Sequence, residues 1–283
     1  MPSIGLGTVG LKGVQGEAIV TKALLSGYRL IDTAETYENE RNIGNAIRAS
    51  GVPREEIFLT TKFDGKFHGF EEAQRAFALS AERLGTDYID LLLIHWPLPV
   101  LDRYVDAWRG MIRLLEDRKL RAIGVSNFKQ AHIQRLLTET GVTPHVNQIQ
   151  LNPNIARVAE RRFHKDHGIQ TEAWSPLDKG KESILWRQLG RKLRRRLRGW
   201  GGNLLEEDAI LSAGQRHGKT PAQVVLRWHV QLGVIPIPRT TNPQRLKENI
   251  DIFDFELSPE EVESISELDG RTPRDKDSDF YGH

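Results

Sequence analysis

The chain of 283 residues is 28% charged and 39% hydrophobic, carries a formal net charge of +2 and has no cysteine. This is soluble-protein composition with apolar residues enough for a large core, and it excludes disulfide and thiolate chemistry. No apolar run reaches the ~18 residues of a membrane span and no charged-then-apolar leader is visible, so a cytoplasmic address is expected.

The net charge hides a local excess. Residues 179–200 hold nine Lys or Arg against Glu182, or +8, which leaves −6 for the remainder. At ~150 residues per domain the length suggests two domains, but α/β barrels reach ~250 residues or more as one unit.

Taken from the start, Ile4-Gly5-Leu6-Gly7-Thr8-Val9-Gly10 has the form G-x-G-x-x-G, with Asp32 at a later strand end, and so imitates a dinucleotide fingerprint. That motif should follow a strand and open a helix. Almost nothing precedes Gly5, and Gly13 and Gly16 are expected to interrupt any helix. The better reading is a first strand whose glycines let backbone approach a ligand.

Helical patterns over 17–25, 42–48, 71–84, 104–115 and 130–137 then alternate with Val/Ile/Leu-rich runs at 29–32, 57–62, 89–95, 121–125, 146–151, 169–174 and 234–238. With the opening strand these make eight. Strands alternating with helices imply parallel pairing, so the prediction is a single-domain (β/α)8 TIM barrel over 1–283, interrupted by an insert at 179–203. Catalytic groups of such a barrel sit at the C-terminal ends of its strands. Asp32 ends the second strand with Tyr37 five residues on, Lys62 ends the third, and His95 ends the fourth. Taken singly, these are an ordinary ion pair, a rim aromatic and a core histidine. An acid, a phenol, an ammonium and an imidazole at successive strand mouths make a proton-transfer site.

The phrases that carry these residues, I-D-T-A-E-T-Y-E-N-E, T-T-K and L-I-H-W-P, resemble those of the aldo-keto reductase family, nearest its bacterial 2,5-diketo-D-gluconate reductase-like group. The resemblance implies NADPH-dependent reduction of aldehydes and ketones, with dicarbonyls or keto-sugars as substrates. Tyr37 would be the proton donor, Lys62 would lower its pKa, Asp32 would keep the lysine charged, and His95 would orient the substrate oxygen. It also implies cofactor contacts from Thr8, Ser126, Asn127, Gln148, Trp174, Ser175 and Leu177, with Trp174 stacking on the nicotinamide. Arg239, Thr240, Arg245, Glu248 and Asn249 match its adenosine-phosphate segment. Val9, Phe63 and Trp96 fall at substrate-pocket positions, where Val9 stands for a frequent aromatic and Phe63 begins a departure from a common Leu-Trp. A monomer acting on a small carbonyl compound, with no nucleic acid, metal or membrane span, is expected. The competing class is a barrel that binds the nucleotide as a sensor or scaffold with little turnover; Tyr37 beside Lys62 argues against it.

Other signals are weaker. Gly214 to Thr220 falls one residue short of a P-loop and reads more simply as a helix stop at Gly218 followed by a Thr220-Pro221 helix start. His164 and His167 lack ligand-spaced partners and read as surface histidines. The polar tail, 270–283, is expected to form a loop at the mouth. In the insert, Trp186, Leu189, Leu193, Leu197 and Trp200 share one helical face and basic residues cover the other. A solvated helix or loop, a helix at 184–200 on an anionic surface, and a lid over the cofactor are all open readings of it.

Overall fold

The computed structural model describes residues 1–178, 203–270 and 277–282. Eight strands form one parallel sheet in sequence order: β1 (Leu6–Gly7), β2 (Leu30–Asp32), β3 (Phe58–Phe63), β4 (Ile89–Ile94), β5 (Leu120–Ser126), β6 (Val146–Gln150), β7 (Gln170–Trp174) and β8 (Ile235–Ile237). The sheet closes on itself. Gly5 N donates to Pro236 O at 3.1 Å and Gly7 N to Pro238 O at 3.0 Å, joining the β1 segment to β8. The helices between strands are α1 (Gly13–Leu25), α2 (Glu40–Ser50), α3 (Phe70–Leu84), α4 (Tyr104–Glu116), α5 (Gln130–Thr140) and α6 (Val158–Asp166). After β7 and β8 follow α7 (Asp208–His217), α8 (Pro221–Gln231), α9 (Pro243–Ile250) and α10 (Pro259–Ser266). The insert, apart from Asn203, lies outside the described residues. Among the described residues no helix is long and apolar enough to cross a membrane.

Side-chain alternation along the strands sorts the core into two layers. Ile31, Leu59, Leu92, Ile94, Ile123 and Val125 point outward and pack with helix residues such as Ile43, Trp108 and Ile133. Leu30, Ile235 and Ile237 point inward, as do Leu91, Leu93 and Val146, and they fill the barrel. Full burial of each such side chain contributes ~1.5–3 kcal/mol. The same parity carries Asp32, Lys62, Gln148 and Glu172 inward above the apolar floor, with Lys62 paired to Leu93 and Gln148 to Glu172 in register.

Two local expectations change. Gly13 and Gly16 do not interrupt a helix; both lie within α1. A Cβ on Gly16 would fall 2.4 Å from the Leu11 carbonyl carbon, so this glycine serves close backbone packing, not helix termination. His164 is not at the surface. Its ring is buried between β6 and β7, with Nε2 3.0 Å from Asn147 Nδ2 and Nδ1 2.9 Å from Thr171 Oγ1, and burial pushes its pKa down to about 4. His167 is exposed, as expected. The near P-loop is a helix junction: Gly218 ends α7 at a φ of 63°, and Thr220 Oγ1 accepts from Gln223 N at 3.3 Å at the start of α8.

Candidate active site

A cavity of about 680 Å³ opens at the C-terminal ends of the strands. Below it, Lys62 Nζ lies 2.7 Å from both carboxylate oxygens of Asp32 and donates to Thr33 O at 2.9 Å. The two side chains are only 1% and 5% exposed, so this ion pair is almost wholly buried. Tyr37 closes the turn that follows β2, and the Lys62 ammonium lies 5.4 Å from the centroid of its ring. His95 follows β4 and meets the edge of the Tyr37 ring, with centroids 6.1 Å apart. Tyr37, His95 and Asp32 line the cavity, and Lys62 sits beneath them. The four sequence-predicted residues therefore meet at one point.

Their electrostatics depart from expectation in one respect. Burial drives the Tyr37 phenol upward and outweighs the lowering by Lys62, so its pKa is raised rather than lowered. Burial pulls Lys62 down, but Asp32 and Tyr37 more than restore it and its pKa ends above the usual value. The ammonium stays charged and the phenol keeps its proton. His95 is pushed down by burial against the upward pull of Asp64.

The opposite wall is a hydrogen-bonded frame. Gln148 Nε2 donates to Asp32 Oδ2 at 2.8 Å and to Glu172 Oε2 at 2.7 Å. Both amide hydrogens thus face carboxylates, which leaves Oε1 as the acceptor the amide can offer a ligand. Ser126 Oγ donates to Gln148 O at 2.8 Å. Asn127, held at a φ of 63°, donates from Nδ2 to His95 O and to Ser126 Oγ, each at 3.0 Å, and accepts from Trp174 Nε1 at 2.8 Å. Trp174 is thereby fixed by its edge, with its ring lining the cavity.

The Aldo/keto reductase family model matches residues 3–270. The chain belongs to this family. It is 46% identical over 277 residues to 2,5-diketo-D-gluconic acid reductase B of a Corynebacterium species, spanning 98% of this chain and 92% of that protein. Methylglyoxal reductase DkgA of Escherichia coli is 39% identical over 282 residues, spanning 100% of this chain and 94% of that one. Among solved structures, an aldo/keto reductase from Brucella melitensis superposes with a TM-score of 0.84 at 42% identity, covering 95% of both chains. A variant of Gox0644 in complex with NADPH superposes with a TM-score of 0.87 at 36% identity, covering 99% of this chain and 94% of that one.

The remaining site residues of this aldo/keto reductase are placed unevenly. Thr8, Val9, Trp96, Ser126, Asn127, Gln148, Trp174, Ser175, Leu177 and Arg239 line the cavity, as does Gly7, where backbone forms the wall. Thr240, Arg245, Glu248 and Asn249 lie next along the chain, on the β8–α9 turn and α9, outside the lining. Phe63 is a correction. It is fully buried in the helix-side core, because alternation from inward Lys62 turns the next side chain outward.

Sequence reasoning passed over three residues. Tyr281 lines the cavity and meets Trp96 edge-on at 4.8 Å, in a tail anchored by Lys129 Nζ to Asp279 Oδ2 at 2.6 Å. No periodicity marks a tail residue, although the tail's place at the mouth was expected. Glu172 is wholly buried, and burial with the Asp32 charge pushes it up to about 7. A lone carboxylate within an apolar strand run was the available signal. The third, Asp64, touches His95.

Proposed function

We propose that this chain is an NADPH-dependent reductase of aldehydes and ketones, with Tyr37 as proton donor. The observation that carries the reading is the buried Lys62–Asp32 pair directly beneath a protonated phenol at the cavity floor. A pure binding module would have no use for that arrangement. The residues present also fit the cofactor: the Trp174 ring offers a stacking face, and Gln148 Oε1 offers an acceptor for a carboxamide N–H. Arg239 and Arg245 are exposed cations near the start of α9, suited to phosphate groups. When bound, the reduced nicotinamide supplies the hydride for the carbonyl carbon.

The protein's own part is proton delivery and orientation. Tyr37 Oη hydrogen-bonds the substrate carbonyl oxygen and gives up its proton as negative charge develops there. Lys62 stabilises the phenolate left behind, and Asp32 with Thr33 O fixes the ammonium in place. His95 and Trp96 form the wall that orients the substrate. Such acid catalysis is worth ~10²–10⁴-fold, with positioning supplying the remainder. Small dicarbonyls or keto-sugars are the substrate class this reading favours, in keeping with the 2,5-diketo-D-gluconic acid and methylglyoxal for which the two relatives are named.

NADPH oxidation across a panel of carbonyl compounds tests the reading. Tyr37→Phe should lower turnover at least ~10²-fold while NADPH binding persists. Retention of more than a few per cent of the activity would show that another group supplies the proton.

A further inference from the structure

Glu172 is wholly buried inside the barrel, yet packing gives no reason for a carboxyl there. Its register neighbour on β8 is Ile235, and its Oε1 makes no hydrogen bond to any other described residue. Burying a carboxyl with one oxygen unpaired is costly, and an apolar side chain would avoid it. What Glu172 does hold is Gln148, its register partner on β6, whose Nε2 donates to Glu172 Oε2 at 2.7 Å. The same nitrogen donates across the barrel to Asp32 Oδ2 at 2.8 Å. Asp32, gripped by Lys62, is a carboxylate and can only accept, so the Gln148 amide cannot turn over to present its oxygen there. One acceptor would fix one N–H and let the amide swing about it. Two acceptors on one nitrogen fix both hydrogens, and with them the plane of the amide and the direction of its oxygen. The grip does not depend on the charge of Glu172, since a proton on its unpaired Oε1 leaves Oε2 a carbonyl oxygen that still accepts.

We propose that Glu172 is a positioning residue that, together with Asp32, locks the Gln148 amide so that its Oε1 meets the carboxamide N–H of the nicotinamide and selects against cofactors without that donor. Gln148 lines the cavity and makes the contact; Glu172 lies outside the lining and acts through it. Asp32 thereby serves two partners, the ammonium of Lys62 on one side and the amide of Gln148 on the other. The cofactor consequence rests on the nicotinamide-dependent reductase reading; the lock on the amide does not.

The test has two arms. Calorimetry compares the dissociation constants of NADP+ and its acetylpyridine analogue, in which a methyl group replaces the carboxamide NH2. Both carry the same charge, so their ratio cancels any general electrostatic effect of removing a carboxyl. The wild type should favour NADP+ about tenfold, the scale of one hydrogen bond, and Glu172→Leu should remove most of that preference. Glu172→Gln, which still offers an oxygen to Gln148 Nε2, should keep most of it. Equal affinities in the wild type, a ratio unchanged in Glu172→Leu, or a preference lost equally in Glu172→Gln overturns the cofactor role. The second arm uses cofactor-free protein labelled with ¹⁵N-glutamine, with Gln148→Met to assign the signals. Both Gln148 amide hydrogens should be shifted downfield by their acceptors, and Glu172→Leu should return one of them toward the position of a free amide. Unshifted hydrogens in the wild type, or a pair unchanged in Glu172→Leu, overturns the lock. Failure of NADP+ and the analogue to bind at all would instead count against the reductase reading, and the amide signals would still decide the role of Glu172.

Discussion

Removing the ammonium from the Lys62–Asp32 pair offers a demanding check on the site. Lys62→Met preserves most of the side-chain volume but leaves the Asp32 carboxylate buried with Gln148 Nε2 as its remaining side-chain donor. Unit charges 2.7 Å apart interact by on the order of 6 kcal/mol at an effective dielectric of ~20. Breaking a buried pair by deleting one partner costs ~3–5 kcal/mol, because the other charge is left uncompensated. At ~2 °C per kcal/mol for a chain of this size, the apparent melting temperature at pH 7 should fall by roughly 6–10 °C. Asp32→Asn combined with Lys62→Met should recover most of that loss, since neither member of the pair is left as an uncompensated charge, yet both variants should be inactive in NADPH oxidation. Thermal unfolding by circular dichroism, read beside turnover, separates the two effects. A single variant as stable as the double one would refute the claim that the pair is electrostatically coupled. Wild-type activity in either variant would refute its role beneath Tyr37.

Other consequences can be measured as directly. Arg239 and Arg245 offer charge-assisted hydrogen bonds worth ~1.5–3 kcal/mol each, so NADPH should bind more tightly than NADH by ~2 kcal/mol or more, and Arg245→Ala should narrow that gap; an unchanged ratio of dissociation constants would exclude Arg245 from the phosphate site. Glu172 has its folded pKa raised to about 7 from an ordinary 4.5, so the folded state holds its proton longer than the unfolded one. That stability is fully present below the unfolded value and is lost as pH rises through about 7, so Glu172→Gln should gain on wild type between pH 5 and 8, by up to ~3 kcal/mol in denaturant unfolding. A flat difference would mean that the carboxyl is not perturbed. Phe63→Ala should cost ~3–5 kcal/mol of stability with little change in KM, whereas a large KM effect at full stability would return Phe63 to the substrate pocket.

Much of the architecture was legible because it is written in local periodicity. Short β-branched runs alternating with 3.6-period segments specify parallel strands with crossover helices, and that arrangement places Asp32, Lys62 and His95 together without any tertiary information. Phe63 was misplaced although the same periodicity contained the answer: next to an inward lysine, the following strand residue must face the helices. His164 was misread for a different reason. Its burial depends on Asn147 and Thr171 from two strands, and those partners cannot be counted from spacing. The upward shift of Tyr37 was likewise hidden, since sequence shows that a lysine is near but not how much water the phenol has lost. Tyr281 reaches the cavity through ion pairs from Lys129 to a tail about 150 positions away, a contact of the folded chain alone.

The closure between the two ends of the barrel has an unequal seam. On the β8 side the residues facing β1 are Pro236 and Pro238, which accept from Gly5 and Gly7 but have no N–H to return. Half of the ladder expected between parallel strands is therefore missing at this one junction, and opening there costs less than at a fully bonded pair of strands. Gly7, Pro238 and Arg239 on its two sides also line the cavity. A molecule lying across them would bridge the first strand and the last, so filling the site should slow opening of this seam, an effect that exchange of the Gly5 and Gly7 amides would report.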